Sequence, residues 1–409
     1  MPAPNSLHLP GLVNAHSHAF QRAMAGLAEH QSDPADSFWT WREQMYRHAG
    51  LIEPEDLQAI AAQLYVEMLK SGYTAVCEFH YLHHQRDGRP YADAAAMSRA
   101  LIAAAAETGI DLCLLPVLYQ QGGFDGRALG ARQLRFGHPV DAFLRLVADL
   151  RCEESDALQV GIALHSLRAV PPDAMREVLA AEASAQRPIH IHIAEQLAEV
   201  EECLALRGTR PVSWLYDHAE VDARWTLVHA THLSAPEVER IAQSGATVCL
   251  CPSTEANLGD GLFPLPEYLA AQGSFSIGSD SHISVSPVEE LRWLEYGQRL
   301  SARRRNVAVS PTQKSVGKLL HGQVLAGGAR SVGAKLAANG ASIVLDGAHP
   351  LLGARSGDQL LDSWIFSGNV PLVREVQVRG RTLVRDGRHI DESHIAARYI
   401  DTVQRLARK

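Results

Sequence analysis

Up to residue 300, short apolar runs rich in β-branched residues alternate with longer stretches in which apolar positions recur every third or fourth residue. That is the pattern of parallel strands joined by helical crossovers. It predicts eight strands, over residues 9–16, 74–79, 111–118, 159–166, 188–194, 226–231, 246–253 and 274–280, with helices over 55–70, 92–107, 141–150, 172–185, 197–206, 235–243 and 287–300. Eight βα units are the count of a (β/α)8 barrel. An open doubly wound sheet would carry a glycine-rich phosphate turn after its first strand, and no GxGxxG stands there. The long connection 20–54, with SFWTWREQMYR, is too aromatic for a bare link and is expected to fold over the barrel mouth.

Beyond residue 310 the texture changes. A helical stretch, PTQKSVGKLLHGQVLAGGA, precedes short alternating runs around ASIVLDG, DSWIFSG and VREVQVRGRTLVRDGRH, read as strands, and a polar helix over 392–408. The expected organisation is a catalytic barrel over 9–330, a small β-sandwich domain from 1–8 and 331–391, and a closing helix over 392–409.

Composition narrows the classes. The 409 residues are 46% hydrophobic and 21% charged, which excludes a disordered chain. Lys plus Arg number 38 against 46 Asp plus Glu, so a net charge of −8 repels polyanions, and nucleic acid is not an expected partner. No apolar run approaches the ~18 to 20 residues that cross a bilayer, and the start MPAPNSLHLPG lacks a basic n-region, so a soluble cytoplasmic protein is expected. Six cysteines (77, 113, 152, 203, 249 and 251) are too scattered for a disulfide framework, and the pair Cys249 and Cys251 reads as core packing. Histidine, at 20 residues, exceeds what packing requires.

In a barrel, side chains at the C-terminal strand ends face the active site. Strand 1 ends in His16-Ser17-His18, strand 5 in His192 followed by Glu195, strand 6 in His229 and strand 8 in Asp280. Residues two apart on a strand project to one side, so His16 and His18 can share a metal with His192 and Asp280. Three imidazoles and one carboxylate suit Zn2+ or Fe2+. Strand 4, QVGIALHS, contains none of the five lysines, so no carboxylated lysine is available there and one metal is expected. Asp280 can touch the metal and take a proton, Glu195 can carry a proton to a leaving nitrogen, and His229 can polarise the attacked centre. The reaction class is hydrolysis at a C=N or C–N carbon with release of ammonia. His190 reads as a hydrogen-bonded core histidine one layer deeper, while His80, His232 and His282 lie near strand ends as candidate supporting groups.

VNAHSH, HIAEQ, LVHATH and IGSDSH together resemble the amidohydrolase superfamily in its mononuclear deaminase branch. Within it, PGLVNAHSHAFQRAMAGLAE, FWTWREQMYR, CEFHYLHH and HSLRAV are similar to the formimidoylglutamate deiminase family over nearly the whole chain. The resemblance implies deimination of N-formimino-L-glutamate to N-formyl-L-glutamate and ammonia in histidine degradation, by a zinc-dependent homodimer. It implies metal ligands His16, His18, His192 and Asp280, and substrate contacts from Gln21, Arg42, Tyr81, His165, Arg168 and His229. Two arginine forks suit a substrate with two carboxylates. Family members also begin with a strand-rich segment that pairs with the C-terminal β domain, whereas only MPAPNSLH precedes strand 1 here, so an incomplete small domain is expected. The alternatives are an aminohydrolase acting on a ring amidine, whose pocket would need stacking aromatics, and an inert scaffold, which would have lost its ligands.

Overall fold

The computed structural model describes residues 6–30 and 38–409. Eight parallel strands follow one another around a barrel: Leu12–Ser17, Tyr73–His80, Asp111–Leu118, Ile162–Ser166, Ile189–Ile193, Trp225–His229, Thr247–Leu250 and Ser274–Ile277. A short run, Leu158–Val160, pairs with the third strand before the fourth begins. The last strand meets the first at a single parallel bridge between Ser17 and Asp280. The barrel therefore closes at the level of the predicted metal ligands.

Strand and helix boundaries follow from local chemistry. YTAVCEFH and DLCLLPVL show no polar alternation because helices cover one face and the barrel interior the other, and all their residues are buried. The helix Pro54–Ser71 opens with a reciprocal Glu53/Asp56 capping box and a proline in its first turn, and stops at Gly72 in the left-handed region (φ 107°). The helix Val316–Val332 rides directly on the last barrel strand. A Cβ at Gly327 would collide with the Phe275 carbonyl, so only glycine permits that approach.

The run read as a single strand over 9–16 is two. Ser6–Pro10 pairs antiparallel with Ser342–Asp346, and the sheet continues through Val373–Val378, Arg381–Arg385 and Arg388–His389. The short N-terminal segment thus supplies one edge of a five-stranded antiparallel sheet. DSWIFSG is not a strand: Asp358–Phe366 is a helix, because Leu360, Trp364 and Ile365 recur at helical spacing and bury one face. Buried Asp111 ties this sheet to the barrel by accepting from Arg379 Nε (2.7 Å) and Asn339 Nδ2 (2.5 Å). The closing helix, Glu392–Leu406, packs on Pro54–Ser71, with Lys70 Nζ 2.9 Å from Glu392.

Of the connection expected over the mouth, residues 31–37 lie outside the described residues. Its remainder forms a 3-10 turn, Ala19–Met24, and the helix Phe38–Ala49, whose Trp41, Arg42, Met45 and Tyr46 line a cavity at the C-terminal strand ends.

Candidate active site

The predicted ligands converge. His16 Nε2 lies 3.2 Å from His18 Nε2, 3.0 Å from His192 Nε2 and 3.3 Å from Asp280 Oδ1, and His18 Nε2 is 3.3 Å from that same oxygen. All four residues are buried. Backbone carbonyls fix two of the tautomers. His18 Nδ1 is 2.9 Å from the Phe79 carbonyl and His192 Nδ1 is 2.9 Å from the His165 carbonyl, and a carbonyl only accepts, so each Nδ1 carries the proton. Each Nε2 is then a bare lone pair facing another ring nitrogen or a carboxylate oxygen.

Lone pairs converged in this way are the arrangement that a shared cation uses. Ligands about 2.05 Å from a tetrahedral zinc lie about 3.3 Å apart, which the separations of 3.0–3.3 Å match. Burial lowers the pKa of all three imidazoles, and neighbouring histidines push His16 and His192 down further, so the rings stand neutral at pH 7 as ligation requires. The donor set therefore fits a divalent metal.

Backbone strain concentrates here. Ala194, His229, Ala230, Asp280 and His282 all hold φ between 45° and 67°, a region non-glycine residues seldom occupy. Networks hold them there. Glu199 accepts from the backbone N–H of Ala194 (3.1 Å) and Glu195 (3.0 Å), fixing the turn that presents Glu195. His282 Nε2 accepts from the His18 backbone N–H (3.2 Å), so its Nδ1–H donates to Ser279 Oγ (2.9 Å), which joins the turns that carry His18 and Asp280. Glu78 straddles His18, accepting from Ser17 Oγ and Ala19 N at 2.6 Å each, and burial pushes its carboxyl up to about 7.

His229 stands over the cluster. Its Nε2 is 3.8 Å from Glu195 and 3.9 Å from the free oxygen of Asp280, and its Nδ1 is 3.3 Å from Glu255. Burial alone would lower its pKa, but Glu195, Glu255 and Asp280 outweigh burial and hold it well above the ordinary imidazole value. Glu195 is pushed up to about 7 by burial and by Asp280 and Glu199, with His229 and Arg168 pulling the other way.

One cavity is lined by His18, Gln21, Arg42, Tyr81, His165, Arg168, His192, Glu195, His229 and Asp280. Every predicted substrate contact thus lies on its wall, and His16, a predicted ligand, is buried against His18 and His192. Gln21 Nε2 donates to Tyr81 Oη (2.9 Å). Glu43 lies 2.5 Å from Arg132 and also favours the charge on Arg42. His190 donates to the Ser331 carbonyl beneath the site (3.0 Å), as a core histidine does, and Cys249 and Cys251 are buried free thiols. Sequence reasoning passed over Glu78, Glu199 and Glu255. Their only local signal was a carboxylate in an otherwise apolar strand or in a first helical turn. A larger cleft of about 1050 Å³ lies between Pro54–Ser71 and the small sheet, but Lys70 pairs with Glu392 and Arg374 with Asp386 there, and no ligand cluster lines it among the described residues.

The Amidohydrolase family model matches residues 7–314. The chain belongs to the amidohydrolase family. Among its relatives, this amidohydrolase is 51% identical over 404 residues to a formimidoylglutamate deiminase of Pseudomonas aeruginosa, covering 97% of this chain and 89% of that protein. It is 29% identical over 293 residues to a 5-methylthioadenosine/S-adenosylhomocysteine deaminase of Natronomonas pharaonis, covering 71% of this chain and 62% of the other. A crystal structure of an amidohydrolase from Brucella melitensis superimposes with a TM-score of 0.94 at 43% identity, over 100% of this chain and 92% of that one. No described helix of this amidohydrolase is long and apolar enough to cross a membrane.

Proposed function

We propose that the protein hydrolyses N-formimino-L-glutamate to N-formyl-L-glutamate and ammonia, the deimination step of histidine degradation. The observation that carries this reading is the lining of one cavity: Glu195 and Asp280 beside the clustered histidines suit an amidine, while Arg42 and Arg168 on the same wall suit carboxylates. The 51% identity to a formimidoylglutamate deiminase supports it.

The residues we assign to the metal are His16, His18, His192 and Asp280. One zinc ion per subunit fits three imidazoles and a carboxylate, with iron(II) as the alternative. When bound, such an ion supplies Lewis acidity that makes water nucleophilic near pH 7.

The chain's own groups do the rest. Glu195, ionised, accepts a proton from the attacking water and delivers it to the departing nitrogen. Its reach to both sides follows from its place beside His229 Nε2. Glu255 holds His229 through Nδ1–H, which turns Nε2–H toward the reacting carbon to stabilise charge on the entering oxygen. Both hydrogens of the water end on the nitrogen, the C–N bond to it breaks, and the carbon keeps the water oxygen as its formyl carbonyl. Arg42 and Arg168 grip the carboxylates, while Gln21, Tyr81 and His165 shape the middle of the cavity. A cytoplasmic homodimer accords with this reading and with the free cysteines.

Ammonia release from N-formimino-L-glutamate, N-formimino-L-aspartate, 5-methylthioadenosine and guanine, run in parallel on protein of known metal content, tests the proposal. Turnover of the glutamate compound with appearance of a formyl proton by NMR is expected. Turnover of a purine alone would replace this reading with a ring-amidine one.

A further inference from the structure

The cavity wall around His165 and Arg42 contains two phenols to which the reading above gives no role. Tyr46 lies one helical turn after Arg42 on Phe38–Ala49, and Tyr119 directly follows the barrel strand Asp111–Leu118. Both are buried and both line the cavity. Phe136 buttresses them, with ring centres 5.8 Å from each.

Behind them, outside the cavity wall, one Gln133 amide nitrogen donates to both phenolic oxygens, at 2.8 Å to Tyr119 and 3.3 Å to Tyr46. A phenol has a single hydrogen, and it cannot point at a group that is already donating to its oxygen. The two hydroxyls also lie close to one another, and a bond between them can use only one of their two hydrogens. The other hydrogen has no acceptor among the described residues, and Tyr119, whose oxygen takes the shorter bond from Gln133, is the phenol held more firmly. That hydrogen is left for a ligand, and a buried donor without an acceptor is costly until one arrives.

The surroundings specify the ligand's charge. The Arg42 guanidinium carbon lies 5.5 Å from the Tyr46 ring centre. Burial and the nearby Arg168 both disfavour the charge on Arg42. Arg42 and Arg168 both line the cavity, and an anion seated beside them gives a phenolic donor a charged acceptor.

We propose that Tyr119, oriented by Gln133 and Tyr46, is a specificity-determining residue that donates a hydrogen bond to one carboxylate of the substrate. This inference rests on the dicarboxylate reading given above. It adds a third, uncharged donor to the two arginines, one whose position is set from outside the cavity.

The test compares the wild type, Tyr119→Phe and Gln133→Leu on three compounds: N-formimino-L-glutamate, N-formimino-γ-aminobutyrate, which lacks the α-carboxylate, and N-formimino-L-norvaline, which lacks the side-chain carboxylate. Tyr119→Phe is expected to lower kcat/KM on the first about ten- to hundredfold, chiefly through KM. That loss disappears on whichever analogue lacks the carboxylate Tyr119 holds, and persists on the other. Gln133→Leu, which leaves the phenol but loosens it, gives the same pattern at smaller size. Equal losses on all three compounds mean a merely structural role and overturn the proposal, as does no loss on any. Glutarate binding by calorimetry separates this inference from the activity assignment. If the wild type fails to deiminate N-formimino-L-glutamate yet binds glutarate at least tenfold more tightly than Tyr119→Phe, the activity reading falls and the carboxylate donor stands. Equal binding of glutarate by the two proteins removes the donor.

Discussion

Replacing Glu195 with Gln preserves its size and hydrogen-bonding reach but removes its capacity to accept a proton. Burial, with Asp280 and Glu199 close by, pushes this carboxyl up to about 7. A divalent ion on neighbouring Asp280 would stabilise the ionised form, so about 7 is the upper edge of its range. The side chain acts as a base toward water only when ionised, so activity falls as pH drops through its pKa. At a pKa of 7 the ionised fraction is about one tenth at pH 6 and about one hundredth at pH 5. Loss of a positioned proton carrier lowers rates roughly 10²- to 10⁴-fold. The assay is ammonia release from N-formimino-L-glutamate between pH 5 and 9, with bound metal determined by elemental analysis. Wild type is expected to show an acid limb of unit slope in kcat/KM, with its midpoint at or below about 7. Glu195→Gln is expected to lose at least a hundredfold in kcat/KM, to lack that limb and to keep wild-type metal content, because Glu195 is not among the ligands. Full activity in the variant, or a wild-type acid limb in it, refutes the proton-carrier role.

Other outcomes follow from the same geometry. Arg168→Ala or Arg42→Ala removes a charge-assisted bond worth ~1.5 to 3 kcal/mol, so kcat/KM on N-formimino-L-glutamate is expected to fall about ten- to hundredfold; unchanged kinetics would remove that arginine from the carboxylate grip. Gly278→Ala would place a Cβ 2.6 Å from His16 Cβ and 2.8 Å from His16 N, so metal affinity by competitive chelation is expected to drop as the last strand moves off the first; unaltered affinity would show that the closure tolerates the shift. Burial, aided by Arg135 at His80 and by His84 at His138, lowers both pKa values to about 3, against 6.5 in an unfolded chain. Below pH 6.5 the unfolded chain binds protons that these rings refuse, so their contribution is complete above 6.5 and is lost as pH falls toward 3. At pH 5.5 this comes to about 1.4 kcal/mol per ring, so urea denaturation of His138→Phe is expected to lose about that much less stability than wild type between pH 7.5 and 5.5. An identical loss in both proteins would mean that His138 titrates normally.

The barrel was legible because its strands are covered on both faces: YTAVCEFH and DLCLLPVL leave no polar alternation to misread. The convergence of His16, His18, His192 and Asp280 was legible because each stands at or just past the C-terminal end of a barrel strand, and the HxH period turns His16 and His18 to one side. What failed did so for identifiable reasons. LPGLVNAH reads as one apolar run, yet Gly11 turns the chain between two sheets, and a Cβ there would collide with Thr74. DSWIFSG carries strand-forming residues, but its partner is the Val316–Val332 helix, and helix-on-helix packing overrode local preference. The supporting carboxylates Glu78, Glu199 and Glu255 act on backbone N–H groups or on a ring from another element, and such contacts leave no periodic trace in sequence.

The account turns on four side chains from three strand ends sharing one ion, and anomalous diffraction at the zinc edge from metal-loaded crystals tests that directly. The predicted map has one strong peak per chain, about 2.0–2.2 Å from a ring nitrogen of His16, His18 and His192 and from a carboxylate oxygen of Asp280. A peak instead among His229, Cys251 and Glu255, which also lie close enough to bind an ion, or no peak at the histidine cluster in loaded protein, would contradict it.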